Sequence, residues 1–256
     1  MHLEIAQITA IGNRQTNQDA LASALEDDLA CFVLADGTGG HEGGEVAANL
    51  VTECITEKFV QEASFSPRAL RSYVDWAMLK VAQKKLGNIQ QKNMSATVAT
   101  ILIDRSNRCA LWAHLGDTRV YLFRDGKIKT ISKDHSYAQR MVDAGYADYA
   151  LLRQHPQRSM LFAAIGAEGD SLPEVTMDAV DLQDGDAFLL CTDGFWEWVN
   201  ENQMEQSLSS AQSCDAWLSQ MNLIAEQNIR VSSASRTSRD NFSAFAICIH
   251  DSKRVV

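Results

Sequence analysis

Cys31-Phe32-Val33-Leu34-Ala35-Asp36-Gly37-Thr38-Gly39-Gly40-His41-Glu42-Gly43-Gly44-Glu45 is the stretch on which the fold turns. Its apolar run, Leu29–Ala35, has the composition of a strand buried on both faces. The run stops at a carboxylate, and glycines follow. The same shape returns as Phe188-Leu189-Leu190-Cys191-Thr192-Asp193-Gly194. A buried strand that ends in Asp-Gly places a carboxylate at the rim of a sheet. The glycine lets the backbone turn and lets its carbonyl approach a ligand. Two such carboxylates held together would repel, so the pattern implies a shared cation.

Outward from this stretch the chain reads as strands, two helices, more strands, then helices and a last strand. Leu3–Ile11 is an expected strand upstream. Glu45 to Gln61 is an expected helix, with Val46, Leu50, Ile55 and Phe59 on its apolar face. Ser66 and Pro67 read as the N-cap and first position of a second helix. Leu70, Val74, Ala77 and Val81 form its stripe, and Gly87 suits its end. Thr97–Asp104 and Cys109–Leu115 are apolar strands. Arg119–Arg124 and Lys127–Ile131 flank Asp125-Gly126, a hairpin turn. Ser136–Ala144 is expected to be helical, Asp186–Thr192 a strand and Phe242–His250 the final strand. Asn200 with Gln203 makes a capping box, and Ser213–Asn228 is a helix with Trp217, Met221, Ile224 and Ala225 inward. Hairpins without regular βαβ alternation predict an α+β fold, a four-layer α-β-β-α sandwich of two mostly antiparallel sheets flanked by helices.

Of the 256 residues 46% are hydrophobic, enough for a sizeable core, and only three are proline. No repeat and no Pro/Ser/Gly-rich hinge divides the chain, so residues 1–256 are expected to form one domain. An exposed flap is expected at about 136–174, most irregular from Gly145 to Glu174. A net charge of −10 excludes the basic footprint of a nucleic-acid binder. The six cysteines form no CxxC pair and read as buried, reduced thiols rather than a zinc site. No secretory start and no run of roughly 20 apolar residues is present, so the expectation is a cytoplasmic protein with no membrane partner.

Four motifs carry the chemistry: Arg14-Gln15-Thr16-Asn17-Gln18-Asp19; the Asp36 block; Ala113-His114-Leu115-Gly116-Asp117-Thr118-Arg119; and Thr192-Asp193-Gly194 with Arg239-Asp240-Asn241-Phe242-Ser243. In this order, over about Ile8 to Ile249, they resemble the metal-dependent Ser/Thr protein phosphatases, protein phosphatase type 2C, in their bacterial form. Asn93-Met94-Ser95-Ala96-Thr97, Asp134-His135-Ser136, His155-Pro156-Gln157-Arg158-Ser159 and Leu161-Phe162-Ala163-Ala164-Ile165-Gly166 fit the same resemblance. It implies Mn²⁺ or Mg²⁺, two per site with a third possible. It also implies hydrolysis of phosphoserine and phosphothreonine by attack of a metal-bridging hydroxide. Hard cations of this kind take oxygen ligands and keep several waters, so carboxylates and a carbonyl suffice.

By the resemblance, Asp36 bridges both metals, the Gly37 carbonyl binds the second, and Asp193 and Asp240 bind the first. Asp19 acts through metal-bound waters, and Asp117 serves a third site. Arg14 grips the substrate phosphate with its planar fork. Asn241 orders the loop beside Asp240. Each residue also has a plain structural reading. Asp19 could cap a turn, Asp117 could pair with Arg119, Arg14 could be a surface charge, and His41 reads as a loop hydrogen-bonder. The glycine loop lacks the ending of a nucleotide-binding P-loop, and no nucleophile elbow is present. Two positions depart from the family pattern. Thr38 stands where some members have a histidine thought to protonate the leaving oxygen. The proton then comes from a metal-bound water, or turnover is slow. Gln18 replaces an acidic residue of many relatives and adds no charge.

The expected partners are phosphorylated proteins and a cognate bacterial Ser/Thr kinase, with the phosphatase a monomer. Two other readings stay open. One is a non-catalytic, phosphatase-like binding module. The other is a phosphatase of an anti-sigma-factor antagonist, which shares the chemistry but not the substrate.

Overall fold

The computed structural model describes residues 1–38, 43–87, 91–169, 172–232 and 239–251. His41 and part of the glycine loop lie outside the described residues. The elements in chain order are β1 (His2–Ala10), β2 (Asp19–Glu26), β3 (Leu29–Thr38), α1 (Gly43–Glu62), α2 (Pro67–Gly87), β4 (Ser95–Ala96), β5 (Val98–Asp104), β6 (Cys109–Leu115), β7 (Arg119–Arg124) and β8 (Lys127–Ile131). There follow α3 (Tyr137–Asp143), a 3-10 turn (Tyr149–Gln154), β9 (Glu174–Val175), β10 (Val180–Asp181), β11 (Ala187–Cys191), α4 (Asp193–Trp196), α5 (Glu201–Ser210), α6 (Cys214–Val231) and β12 (Phe242–His250).

Two antiparallel sheets result. The first has the order β1-β12-β11-β7-β8, and the second β10-β6-β5-β3-β2, with β4 on β3 and β9 on β6. Side chains alternate across each strand, and here both faces are covered. Phe32, Leu34, Ile101, Trp112, Leu122, Phe188, Leu190 and Phe245 fill the space between the sheets. The alternate positions Cys31, Val33 and Ala35 pack with α1 and α2. Leu189, Cys191 and Ala244 pack beneath α4 and α6 with Trp196 and Trp217. This double covering explains why the inner strands β3, β5, β11 and β12 are mostly apolar and buried along nearly their whole length, and it makes the molecule the expected α-β-β-α sandwich.

Local chemistry sets the element ends. The Ser66 hydroxyl accepts from the Ala69 N–H, Ser136 from Gln139 and Ser213 from Ala216, and Asn200 with Gln203 forms the full capping box. Asp125 and Gly126 both take positive φ in the β7–β8 turn. The face of α1 differs from expectation. Ala47, Ala48, Val51, Cys54, Ile55 and Phe59 are buried, while Val46 and Leu50 sit at the edge. The small side chains allow α1 to lie close on the sheet, and it is the face that carries them that turns inward. Strand β2 was not expected; it closes on β3 through Asp27-Asp28, with Asp27 at φ 48°.

Candidate active site

The β2–β3 pairing places Asp19 directly across from Asp36. Asp36 lies near the end of β3, two residues short of Thr38, rather than at the strand's last position. The Thr97 hydroxyl accepts from the Asp36 N–H at 3.1 Å, and the Thr97 N–H donates to the Asp36 carbonyl at 2.8 Å. On the first sheet, Asp193 opens α4 just past β11, and Asp240 precedes β12. Asp117 sits in the short loop that passes from β6 in one sheet to β7 in the other. Five carboxylates from five segments therefore gather at one rim where the sheets meet.

Glycines permit this convergence. A methyl group on Gly194 would overlap the Asn241 carbonyl, and one on Gly37 would overlap Gly44 and come within 2.8 Å of the Gln18 carbonyl. Asn241 ties the rim together. Its side chain donates at 2.9 Å to the Ile11 and Thr16 carbonyls and accepts from the Gln18 N–H at 3.0 Å. The Thr192 hydroxyl donates to Asp19 Oδ2 at 3.1 Å. Thr38 bonds Ser95 through their hydroxyls at 2.6 Å, so it offers no titratable acid.

The electrostatics are those of crowded like charges. Burial, then the neighbouring Asp19 and Asp193, holds the Asp36 carboxyl well above the ordinary carboxylate range. Burial followed by Asp117 does the same to Asp193. Asp19, pushed up by burial, lies at about 7. Asp117 is also raised to about 7, by burial and then by Asp134. Arg14 reaches into the group and pairs with Asp240 at 2.5 Å, both side chains being partly exposed (56% and 42%). Asp19 Oδ1 is buried and has no hydrogen-bond partner among the described residues. An orphaned carboxylate oxygen among uncompensated carboxylates fits hard divalent cations, which would satisfy oxygen and charge together. Asp36, Asp193, Asp240 and the Gly37 carbonyl could hold such ions directly.

Asp117 does not pair with Arg119, its rival partner from the sequence. Arg119 instead makes a bidentate pair with Asp134 at 2.7 Å. Sequence reasoning missed three supporting groups. Thr97 braces Asp36, Thr192 bonds Asp19, and Trp196 donates from Nε1 to the Asp117 carbonyl at 2.9 Å. Their proximity to the motifs was a signal, but each hydrogen bond joins segments far apart in the chain and is invisible in one dimension.

The family model of protein phosphatase 2C matches residues 7–235. The chain belongs to the protein phosphatase 2C family. Among its named relatives, the serine/threonine protein phosphatase PstP of Mycobacterium tuberculosis is 32% identical over 197 residues, 76% of this chain and 36% of that protein. The serine/threonine phosphatase Stp1 from Staphylococcus aureus superposes with a TM-score of 0.86 at 24% identity, over 98% of this chain and 96% of that one. A PstP catalytic domain in complex with 2 manganese ions superposes with a TM-score of 0.81 at 24% identity, over 97% and 99%. The sandwich is thus that of protein phosphatase 2C. Among the described residues, no helix is long and apolar enough to cross a membrane.

Proposed function

We propose that this chain is a Mn²⁺- or Mg²⁺-dependent phosphoprotein phosphatase acting on phosphoserine and phosphothreonine, opposing a bacterial Ser/Thr kinase. The observation that carries the reading is the convergence of Asp19, Asp36, Asp117, Asp193 and Asp240 on one rim with Arg14 beside them. Divalent cations bound there supply an acidified water as nucleophile and offset charge on the phosphoryl oxygens. Asp36 would serve two ions, the Gly37 carbonyl would contribute to holding one of them, and Asp193 and Asp240 would hold the other. Asp19, whose Oδ1 has no hydrogen-bond partner among the described residues, would orient metal-bound water, and Asp117 would serve a weaker third site. With Asp240 engaged by a cation, the Arg14 guanidinium, now paired with that carboxylate at 2.5 Å, would be free to offer its fork to the phosphate. Asn241 keeps the Gln18 and Asp240 segments in register. With Thr38 hydroxyl-bonded to Ser95, no side chain at that position protonates the leaving alkoxide, so solvent-derived protons serve and turnover on alkyl phosphates is slow. Residues 1–256 would act as one catalytic domain, with 136–174 as its flap.

The test uses metal-stripped protein and a phosphothreonine peptide. Hydrolysis is expected to appear with Mn²⁺ and to disappear with EDTA, and a matching phosphotyrosine peptide is assayed beside it. Equal turnover without metal would overturn the reading, and Mn²⁺ binding without turnover of either peptide would favour a binding module.

A further inference from the structure

We propose that His135 is a positioning residue for Asp117: it grips both polar ends of the Gly116 peptide and thereby sets where the next carboxylate stands. The Gly116 N–H donates to His135 Nδ1 at 3.0 Å, and the His135 N–H donates back to the Gly116 carbonyl at 2.9 Å. Gly116 has no freedom on its other side. Its φ is +107°, and a methyl group there would stand 2.5 Å from Thr97 Cγ2. Thr97 in turn shares a 2.5 Å hydrogen bond with Thr118 and accepts from Asp36. Asp117 is therefore bracketed, His135 holding the residue before it and Thr97 the residue after it.

The imidazole is itself fixed. It stacks on His114 at 4.9 Å and meets the edge of Phe162 at 5.7 Å. Its Nε2 faces Glu174 Oε1 at 3.4 Å. His114, His135 and Glu174 bring ligand-capable atoms within 4.8 Å of one another, which suggests a second metal site. The hydrogen bonds assign a different role. A backbone N–H already occupies His135 Nδ1, so its proton resides on Nε2 and points at Glu174. His114 Nε2 donates to the Lys133 carbonyl at 2.8 Å. Ligation through His135 Nε2 would require an imidazolate, so the cluster is a brace behind the rim. Asp134-His135-Ser136, which the catalytic assignment leaves unused, thus has a function in its middle residue.

The inference rests on Asp117 serving a cation, and the experiment separates the two. Metal-stripped parent, His135→Asn, His135→Gln and Asp117→Asn proteins are titrated with Mn²⁺, free ion being followed by electron paramagnetic resonance. The Asn side chain puts an acceptor oxygen where Nδ1 was, whereas Gln moves it to the Nε2 position. Asp117→Asn is expected to delete the weakest site. His135→Gln is expected to weaken that site by about tenfold or more, as loss of an outer hydrogen-bond partner does. His135→Asn is expected to restore most of the affinity, with metal-free melting alike in the two histidine variants. If Asp117→Asn deletes a site but His135→Gln binds like the parent, or if Asn rescues no better than Gln, the positioning role is overturned while the Asp117 site stands. If Asp117→Asn deletes nothing, the cation role of Asp117 falls first. Should the histidine variants fail to fold, the parent decides by NMR, since an absent nitrogen–nitrogen coupling between Gly116 and His135 Nδ1 overturns the clamp.

Discussion

A single residue such as Asp193 shows the conflict between function and stability at this rim. Its carboxyl is held far above the usual range because burial, Asp117, Glu197 and Asp240 all oppose its charge. Asp193→Asn removes that opposition at little cost in volume. The variant is expected to melt higher than the parent in EDTA above neutral pH. It is also expected to lose activity by about a hundredfold to a thousandfold or more, as an electrostatic stabiliser of the transition state does when removed. Calorimetry and peptide turnover on one preparation check both halves, and a variant that melts lower yet keeps its rate would contradict the account. The adjacent glycine behaves in the opposite way. Gly194→Ala drives a methyl group into the Asn241 carbonyl, so both stability and activity fall, the former by about 1–3 kcal/mol or more in urea unfolding.

Elements are joined across the rim by buried charge. Arg119 at the start of β7 is 2% exposed, makes its bidentate pair with Asp134, and lies over the Trp196 ring at 3.5 Å. Arg153, from the 3-10 turn of the 136–174 segment, reaches the same ring at 5.4 Å and pairs with Glu201 at 2.6 Å. Arg119→Ala strands the Asp134 carboxylate in the interior and is expected to cost about 3–5 kcal/mol. The double change Arg119→Met with Asp134→Leu should recover most of that stability in urea unfolding, because the cost lies in the unpaired charge. A single variant as stable as the parent would show the pair to be dispensable. This is also the scale at which the sequence was most and least legible. Helix starts at Ser66, Ser136, Asn200 and Ser213 were readable because a cap bonds within three residues of itself. Strand β2 was not, since its hairpin closes through Asp27-Asp28 with no glycine to mark it. The two-residue strands β9 and β10 are too short to carry any period. Asp36 and Asp193 could be found from the apolar runs before them, whereas Trp196 and His135 act through partners distant in the chain.

In the molecule as a whole, the rim is a seam. Asp19 and Asp36 belong to one sheet, Asp193 and Asp240 flank strands of the other, and Asp117 lies in the loop between them. Charge repulsion at the seam therefore acts against the packing of the two sheets, and protons or cations relieve it. Asp19 and Asp117 lie at about 7 in the folded chain against an ordinary carboxylate value of 3.8. Between those values the folded protein retains protons that the unfolded chain has released. The stability contributed by each group is complete below 3.8 and is lost as the pH rises through about 7. Metal-free protein should accordingly melt at progressively lower temperature from mildly acidic to mildly alkaline buffer. Mn²⁺, if held by these carboxylates as proposed, would bind the deprotonated folded form and should reverse the trend, adding about 2.7 kcal/mol at a hundredfold excess over its dissociation constant. Thermal melts across that pH range, with EDTA and with Mn²⁺, measure both slopes. EDTA melts that rise with pH, or a Mn²⁺ effect that is largest in acid, would show that the seam is not governed by uncompensated carboxylates.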